Sequence, residues 1–115
     1  MLSFSAQTVI YIFHAAVDFR NGIEGIGAIC RNVIKLDPEK GAVFVFRNRQ
    51  TNALKLLFYD GQGYWLCHKR MSKGKFRHWP AGDESMTSFG VVELLMLINN
   101  GDPMSKKFQL PWKRI

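Results

Sequence analysis

Hydrophobic residues occur in short runs through residues 41–79, and turn residues separate the runs. Each run is rich in β-branched, aromatic and leucine residues. The separating segments contain Asn, Asp, Ser and Gly, which supply the positive φ angles and local side-chain hydrogen bonds of tight reversals. This pattern predicts strands near 42–47, 53–59, 64–70 and 75–79, joined as an antiparallel meander.

The turn between the second and third of these strands predicts their register. If residues 60–63 form a four-residue hairpin loop, Tyr59 pairs with Tyr64 and Lys55 pairs with His68. A slip of one residue would exchange the two faces of a strand, so the face assignments depend on this loop.

A similar loop near 72–73 would pair Arg70 with Lys75 and Leu66 with Trp79. Because side chains alternate along a strand, one face of the meander is then apolar and is expected to be the core. The other face is expected to be a basic and aromatic surface: Lys55, Tyr59, Tyr64, His68, Arg70, Lys75, Arg77 and Trp79.

The segment before the meander predicts a strand over Thr8–Phe13 and then a helix. Asn21 and Glu24 have the spacing of a capping box, and the apolar stripe that follows ends at Leu36-Asp37-Pro38. Asp18 precedes the helix and has three interpretations: a helix cap, an ion pair with Arg20, or a metal ligand. A cap or an ion pair is favoured, since negative charge is stabilised at helix N-termini.

A second helix is predicted over Phe89–Asn100, with Thr87 or Ser88 as its N-cap. This helix is apolar almost all round, so it is either deeply buried or half-covered by a partner.

These elements predict one α+β domain over 1–101, with about five strands in an antiparallel meander and two helices packed on one face. The basic tail, 102–115, is either an arm for DNA or a partner, or a frayed terminus.

The charge distribution indicates the kind of partner. The 115 residues carry a formal charge of +7. Residues 47–78 contain eight Lys and Arg and a single acid, Asp60, so this segment accounts for the entire excess. Concentrated basic charge is typical of a protein that binds a polyanion. The alternative is a solvated sheet face that lysines keep unpaired. Nucleic acid is favoured because aromatic residues lie among the cations.

Composition argues against catalysis and against a metal or other cofactor. The acids fall mostly in predicted turns and caps, and the histidines and cysteines lack the paired spacing of zinc ligands. Cys30 and Cys67 lie within apolar runs and are expected to be buried thiols of a reduced compartment. No signal peptide or bilayer-spanning run is evident, so a cytoplasmic protein without membrane contact is expected.

Several ordered blocks resemble the small TnpB-type accessory proteins of the insertion-sequence-66 family of bacterial transposons, which are products of the second open reading frame. Asp18–Gly25 is similar to that family's Asp-Met-Arg-Lys-Gly-Ile-Asp-Gly signature, with Phe19 in place of methionine. Gly41–Arg49 and Lys55–Tyr64 resemble its next two blocks. Lys69-Arg70-Met71, with Gly74, Phe76 and Trp79-Pro80, resembles the closing one.

The resemblance implies a role in transposition beside a separate, larger transposase that performs strand transfer. Together with the basic face, it leads to the hypothesis of a non-enzymatic accessory protein that binds DNA, in particular transposon ends. The expected contact residues are Arg47, Arg49, Lys55, Tyr59, Tyr64, His68, Arg70, Lys73, Lys75, Arg77 and Trp79. The rival hypothesis is a protein adaptor that binds the transposase through the Phe89–Ile98 helix or the tail, without DNA contact. Neither hypothesis specifies an oligomeric state.

Overall fold

A computed structural model describes residues 4–105 of the chain. Five strands form one open sheet: β1 (Ile10–Ala16), β2 (Val43–Arg47), β3 (Ala53–Tyr59), β4 (Tyr64–Arg70) and β5 (Met86–Phe89). Their order across the sheet is β4-β3-β2-β1-β5. The α+β class and the number of strands are confirmed. The sheet is mixed, however, because β1 runs parallel to β2 while every other pair is antiparallel.

The parallel pair results from a helical crossover. Helix α1 (Ile23–Ile29) continues as a π-helical turn over Cys30–Ile34, and a short 3₁₀ turn over Pro38–Lys40 leads into β2. A crossover of this length brings the chain back to the start of the sheet, so the next strand is parallel to the first. The helical stretch ends before Leu36 as predicted, with Lys35 in the left-handed region at φ 68°.

Both helix starts differ from the sequence prediction. The N-cap of α1 is Gly22 rather than Asn21, and no side chain caps it. Helix α2 (Val91–Ile98) starts after Gly90, whose backbone N–H donates to the Glu93 carboxylate at 3.0 Å. Thr87 and Ser88 belong to β5 instead, because that segment pairs with β1.

The two helices cover opposite faces of the sheet, so the expectation of one covered face was wrong. Ile26 and Cys30 pack with Phe44, Phe46 and Leu57 on one face. On the other face, residues of α2 pack in a separate cluster with the intervening side chains of β2 and β3. Apolar residues occupy both faces of these central strands, and each face must therefore be covered by a helix.

The β3–β4 hairpin has the predicted register, including the Tyr59–Tyr64 and Lys55–His68 pairs. Residues 75–79 do not form the next strand. The backbone N–H of Met71 donates to the oxygen of Asn52, and that of Phe76 donates to the oxygen of Thr51, both at 2.8 Å. These bonds turn the chain toward the β2–β3 turn and away from the outer edge of β4.

Two further expectations concern the cysteines and the membrane. Both cysteines are free: Cys30, the first residue of the π-helical turn, is buried against the sheet as expected, whereas Cys67 is only half-buried, on the other face of the sheet. No helix within residues 4–105 is long and apolar enough to cross a bilayer. Most of the predicted tail, residues 106–115, lies outside the described part of the chain.

Candidate nucleic-acid interface

The basic and aromatic residues of β3 and β4 do not form one open face, because the start of α1 covers its centre. Lys55 is only 7% exposed. Its ammonium donates to the backbone oxygens of Phe19 at 2.8 Å and Asn21 at 2.9 Å, and it lies 4.9 Å from the centre of the Phe19 ring. Lys55 thus holds the segment that precedes α1 against the sheet and does not present its charge to a ligand.

Two tyrosines of the predicted surface lie at the far end of the hairpin. The rings of Tyr59 and Tyr64 are 5.0 Å apart, and the Tyr64 hydroxyl donates to Glu39 at 2.7 Å. This hydrogen bond raises the pKa of Tyr64. Six residue steps separate Tyr64 from Arg70 along β4, about 20 Å at the rise of a strand, so these tyrosines are remote from the cations at the other end.

His68 and Trp79 are each fixed by neighbours. The exposed His68 ring packs edge-on against Phe19 with 5.6 Å between ring centres. The half-buried Trp79 donates its indole N–H to the backbone oxygen of Phe13 at 2.9 Å and packs against Phe76. Trp79 therefore packs against the edge of the core. It does not pair with Leu66 of β4, as the sequence predicted.

Six of the predicted cations do collect at one end of the sheet, which we call the basic end. They lie at the end of β2 and β4, in the turn that follows β2, and in the segment that follows β4: Arg47, Arg49, Arg70, Lys73, Lys75 and Arg77. The hydrogen bonds from Met71 and Phe76 to the β2–β3 turn bring the two segments together. All except the half-buried Arg47 are exposed.

The β2–β3 turn is locked by its own asparagines. The Asn48 side-chain oxygen accepts from the backbone N–H of Asn52 at 3.0 Å and of Ala53 at 3.2 Å, and its amide donates to the Asn52 side chain at 2.6 Å. Asparagine suits such turns because its short side chain replaces backbone partners. The backbone of the turn that carries Arg49 is therefore held in one conformation.

The segment after β4 is held by Asn100, which lies two residues beyond the end of α2. The Asn100 side chain accepts from the backbone N–H of Arg77 at 2.8 Å and donates to the backbone oxygen of Lys75 at 3.2 Å. Nothing in the sequence near Asn100 indicates this role, because its partners are more than twenty positions away. The asparagine positions the backbone from which both cationic side chains extend.

The charge of the basic end is not neutralised by ion pairs within residues 4–105. The one ion pair there joins Arg20 and Asp18, with a shortest distance of 2.6 Å. Hydrogen bonds from Arg20 lower the pKa of Asp18 to about 2. Of the three interpretations of Asp18, the structure shows the ion pair.

No group of three His, Cys, Asp or Glu that could hold a metal ion occurs among the described residues. The loop 80–85, which follows the basic end along the chain, carries two exposed acids, Asp83 and Glu84.

Arg47 is the most constrained of the six cations. Its Nε donates to the backbone oxygen of His14 at 2.9 Å, and one terminal nitrogen donates to the Thr51 hydroxyl at 3.1 Å and to the Asn48 backbone oxygen at 3.3 Å. These partners are neutral, so the guanidinium is oriented while its charge remains uncompensated.

Comparison with known proteins agrees with the sequence blocks. Residues 8–107 match the family described as IS66 Orf2 like protein. An uncharacterized protein of Sinorhizobium fredii, y4hO, is 33% identical over 99 residues, which is 85% of each chain. Another from the same organism, y4jC, is 36% identical over 70 residues, which is 61% of this chain and 60% of the relative.

No solved structure matches the chain. The family match covers nearly all of the described residues, including the segment that begins α1 and both segments of the basic end. The chain belongs to the IS66 Orf2-like family, and it is an accessory protein of a transposon.

Proposed function

We propose that this protein is a non-enzymatic accessory factor for transposition that binds DNA through the basic end, alongside a separate transposase. The observation that carries the proposal is the arrangement of six cations on two segments that backbone hydrogen bonds hold together. Such a group attracts the phosphates of DNA, and contact with phosphates releases counterions. A DNA partner would place the protein in the cytoplasm of its bacterium.

The geometry changes which residues are proposed to contact DNA. Arg49, Arg70, Lys73, Lys75 and Arg77 are exposed and carry the phosphate contacts. Lys55, Tyr59 and Tyr64 leave the set, because the first is buried beneath the segment that precedes α1 and the other two lie at the opposite end of the hairpin.

Three predicted contacts remain, and of these His68 is proposed to support the phosphate contacts; the others are Arg47 and Trp79. His68 extends from the edge strand two residues before Arg70 and can pack on a sugar or base. Phosphate contacts position a protein without reading sequence. Both helices pack on the sheet faces and none of the cations lies on them, so we expect little sequence preference.

The test is a pair of charge reversals with equal change in net charge. Arg70→Glu with Lys73→Glu changes the basic end. Lys35→Glu with Lys40→Glu changes two exposed lysines in the crossover that leads into β2, at the opposite end of the strands. Fluorescence anisotropy with a labelled duplex at low salt is expected to show at least about tenfold weaker binding for the first variant and a small change for the second.

Two outcomes would contradict the proposal. Equal losses in both variants would mean that net charge, and not the basic end, controls binding. No binding by the unmodified protein at low salt would exclude DNA contact and favour an adaptor. Matching circular dichroism spectra and thermal midpoints would show that each variant is folded.

An adaptor role is the second candidate, and α2 carries it. Val92 is 40% exposed and Leu95 is 47% exposed, and they lie three residues apart on one side of the helix. Leu97, in contrast, is fully buried and belongs to the core. Leu95→Asn is therefore expected to weaken capture of the transposase encoded by the same element, if the adaptor role is correct, while leaving DNA affinity unchanged.

A further inference from the structure

A groove at the basic end has the properties of an anion site. Arg47, Lys75 and Arg77 line it together with His14 and Trp79, and its volume is about 210 Å³. The described residues that line this groove include no Asp or Glu. Resting on the proposed function, we propose that this groove binds a phosphate monoester at the end of a DNA strand.

The backbone of the groove and the Arg47 guanidinium are held in place before any ligand arrives. Arg47 is oriented by His14 and Thr51, and Trp79 is fixed by its bond to Phe13. Asn100 holds the backbone from which the exposed side chains of Lys75 and Arg77 extend. A fixed donor such as Arg47 binds charge more favourably than a mobile one, because less conformational entropy is lost on binding.

His14 is a fixed part of the groove wall. Its Nε2 lies 2.6 Å from the Thr87 hydroxyl, and its backbone oxygen accepts from Nε of Arg47 at 2.9 Å. Its Nδ1 is buried and has no hydrogen-bond partner within residues 4–105, so this atom is not a contact for a ligand in the groove. The charge of a bound anion is therefore met by Arg47, Lys75 and Arg77.

Charge distinguishes a strand end from a continuous duplex. The groove is smaller than the pockets of about 300–1,000 Å³ that enclose drug-sized ligands, so it holds a single phosphate with its adjoining sugar. A terminal monoester carries about −1.5 to −2 charges at pH 7, whereas a backbone diester carries one. Three uncompensated cations around a small site favour the more highly charged group.

The inference is tested with three DNA molecules of the same sequence. One is a duplex with 5′-phosphates, one is the same duplex with 5′-hydroxyls, and one is a closed dumbbell without ends. We expect the phosphorylated duplex to bind about tenfold more tightly than either of the others, a difference that competition binding resolves.

Two double variants locate the effect. Lys75→Gln with Arg77→Gln removes two groove cations, and Arg49→Gln with Lys73→Gln removes two cations of the basic end that do not line the groove. Both variants should bind the dumbbell less tightly, by similar factors. Only the first should lose the preference for phosphorylated ends.

A titration followed by NMR supplies an independent readout on the unmodified protein. Thymidine 5′-monophosphate is expected to shift the His14 and Trp79 ring signals saturably, and thymidine is expected to leave them unchanged. Equal affinity for the dumbbell and the phosphorylated duplex would overturn the inference while leaving the proposed function in place. Failure to bind any of the three DNA molecules would overturn the proposed function, and the inference with it.

Discussion

The Nζ atom of Lys55 lies 2.8 Å from the backbone oxygen of Phe19 and 4.9 Å from the centre of the Phe19 ring. A residue of the central strand β3 thereby holds the segment between β1 and α1, where the family-like block Asp18–Gly25 begins. The ammonium satisfies carbonyl groups of Phe19 and Asn21 that precede the first turn of the helix. A residue that looks like a surface cation is therefore part of the fold.

Replacement of Lys55 by methionine tests this role. The change keeps most of the length of the side chain and removes two charge-assisted hydrogen bonds, which leaves two acceptors unpaired near the sheet. We expect the free energy of unfolding to fall by about 2 kcal/mol, as measured by urea denaturation. Lys73→Met, at an exposed position, is the control and should change stability by less than about 0.5 kcal/mol. Equal effects in the two variants would contradict the structural role.

This residue also shows where sequence reasoning reached its limit. Alternation along β3 and the hairpin loop were enough to predict that Lys55 pairs with His68, because a hairpin's register is local. What covers each face depends on a helix that enters from elsewhere in the chain. The alternation alone does not show that the segment before α1 lies over Lys55, so the pattern assigns a buried lysine to an open surface.

Long-range contacts also decide which segment forms the fifth strand of the sheet and where the cations meet. Residues 75–79 have the composition of a strand, yet the backbone N–H of Phe76 donates to Thr51 instead of to β4. The short β5 had no clear alternation, and its pairing with β1 is set by a long-range contact. The cations were visible as a concentration of charge along the chain, whereas their meeting at one end depends on the bonds between the two segments.

Helix α2 offers a comparison between two leucines. Leu97 is fully buried against the sheet, so Leu97→Ala should create a cavity and lower the free energy of unfolding by about 2–5 kcal/mol. Leu95 is 47% exposed, and Leu95→Ala should cost less than about 1 kcal/mol. Thermal unfolding of the two variants measures the difference. A larger loss at Leu95 would mean that the helix faces the sheet with its other side.

The ion pair before α1 predicts a pH effect. Arg20 lowers the pKa of Asp18 from 3.8 to about 2. The pair therefore stabilises the fold at pH values above the ordinary pKa, and this contribution is lost as the pH falls from near 4 through about 2. NMR titration of the Asp18 carboxyl carbon should give the lowered midpoint, and Arg20→Gln should raise it. An unchanged midpoint in the variant would show that Arg20 is not the cause.

The two thiols should differ in reactivity. Burial raises the pKa of Cys30 to about 12, and its side chain is inaccessible, whereas Cys67 is half-buried on the edge strand β4. Since the thiolate is the reactive form, iodoacetamide at pH 8 should modify Cys67 more than about tenfold faster than Cys30. Peptide mass analysis after timed labelling separates the two sites. Equal rates in the folded protein would contradict the burial of Cys30 against the sheet.

The salt dependence of DNA binding tests the central claim most directly, because it counts the phosphates that cations neutralise. Five exposed cations at the basic end predict a slope of log K against log salt of up to about −4.5, at about −0.9 per phosphate. Lys73→Ala should make the slope less steep by about 1, and Lys40→Ala should leave it unchanged. A slope near zero, or one that Lys40→Ala changes as much as Lys73→Ala, would contradict DNA binding through the basic end.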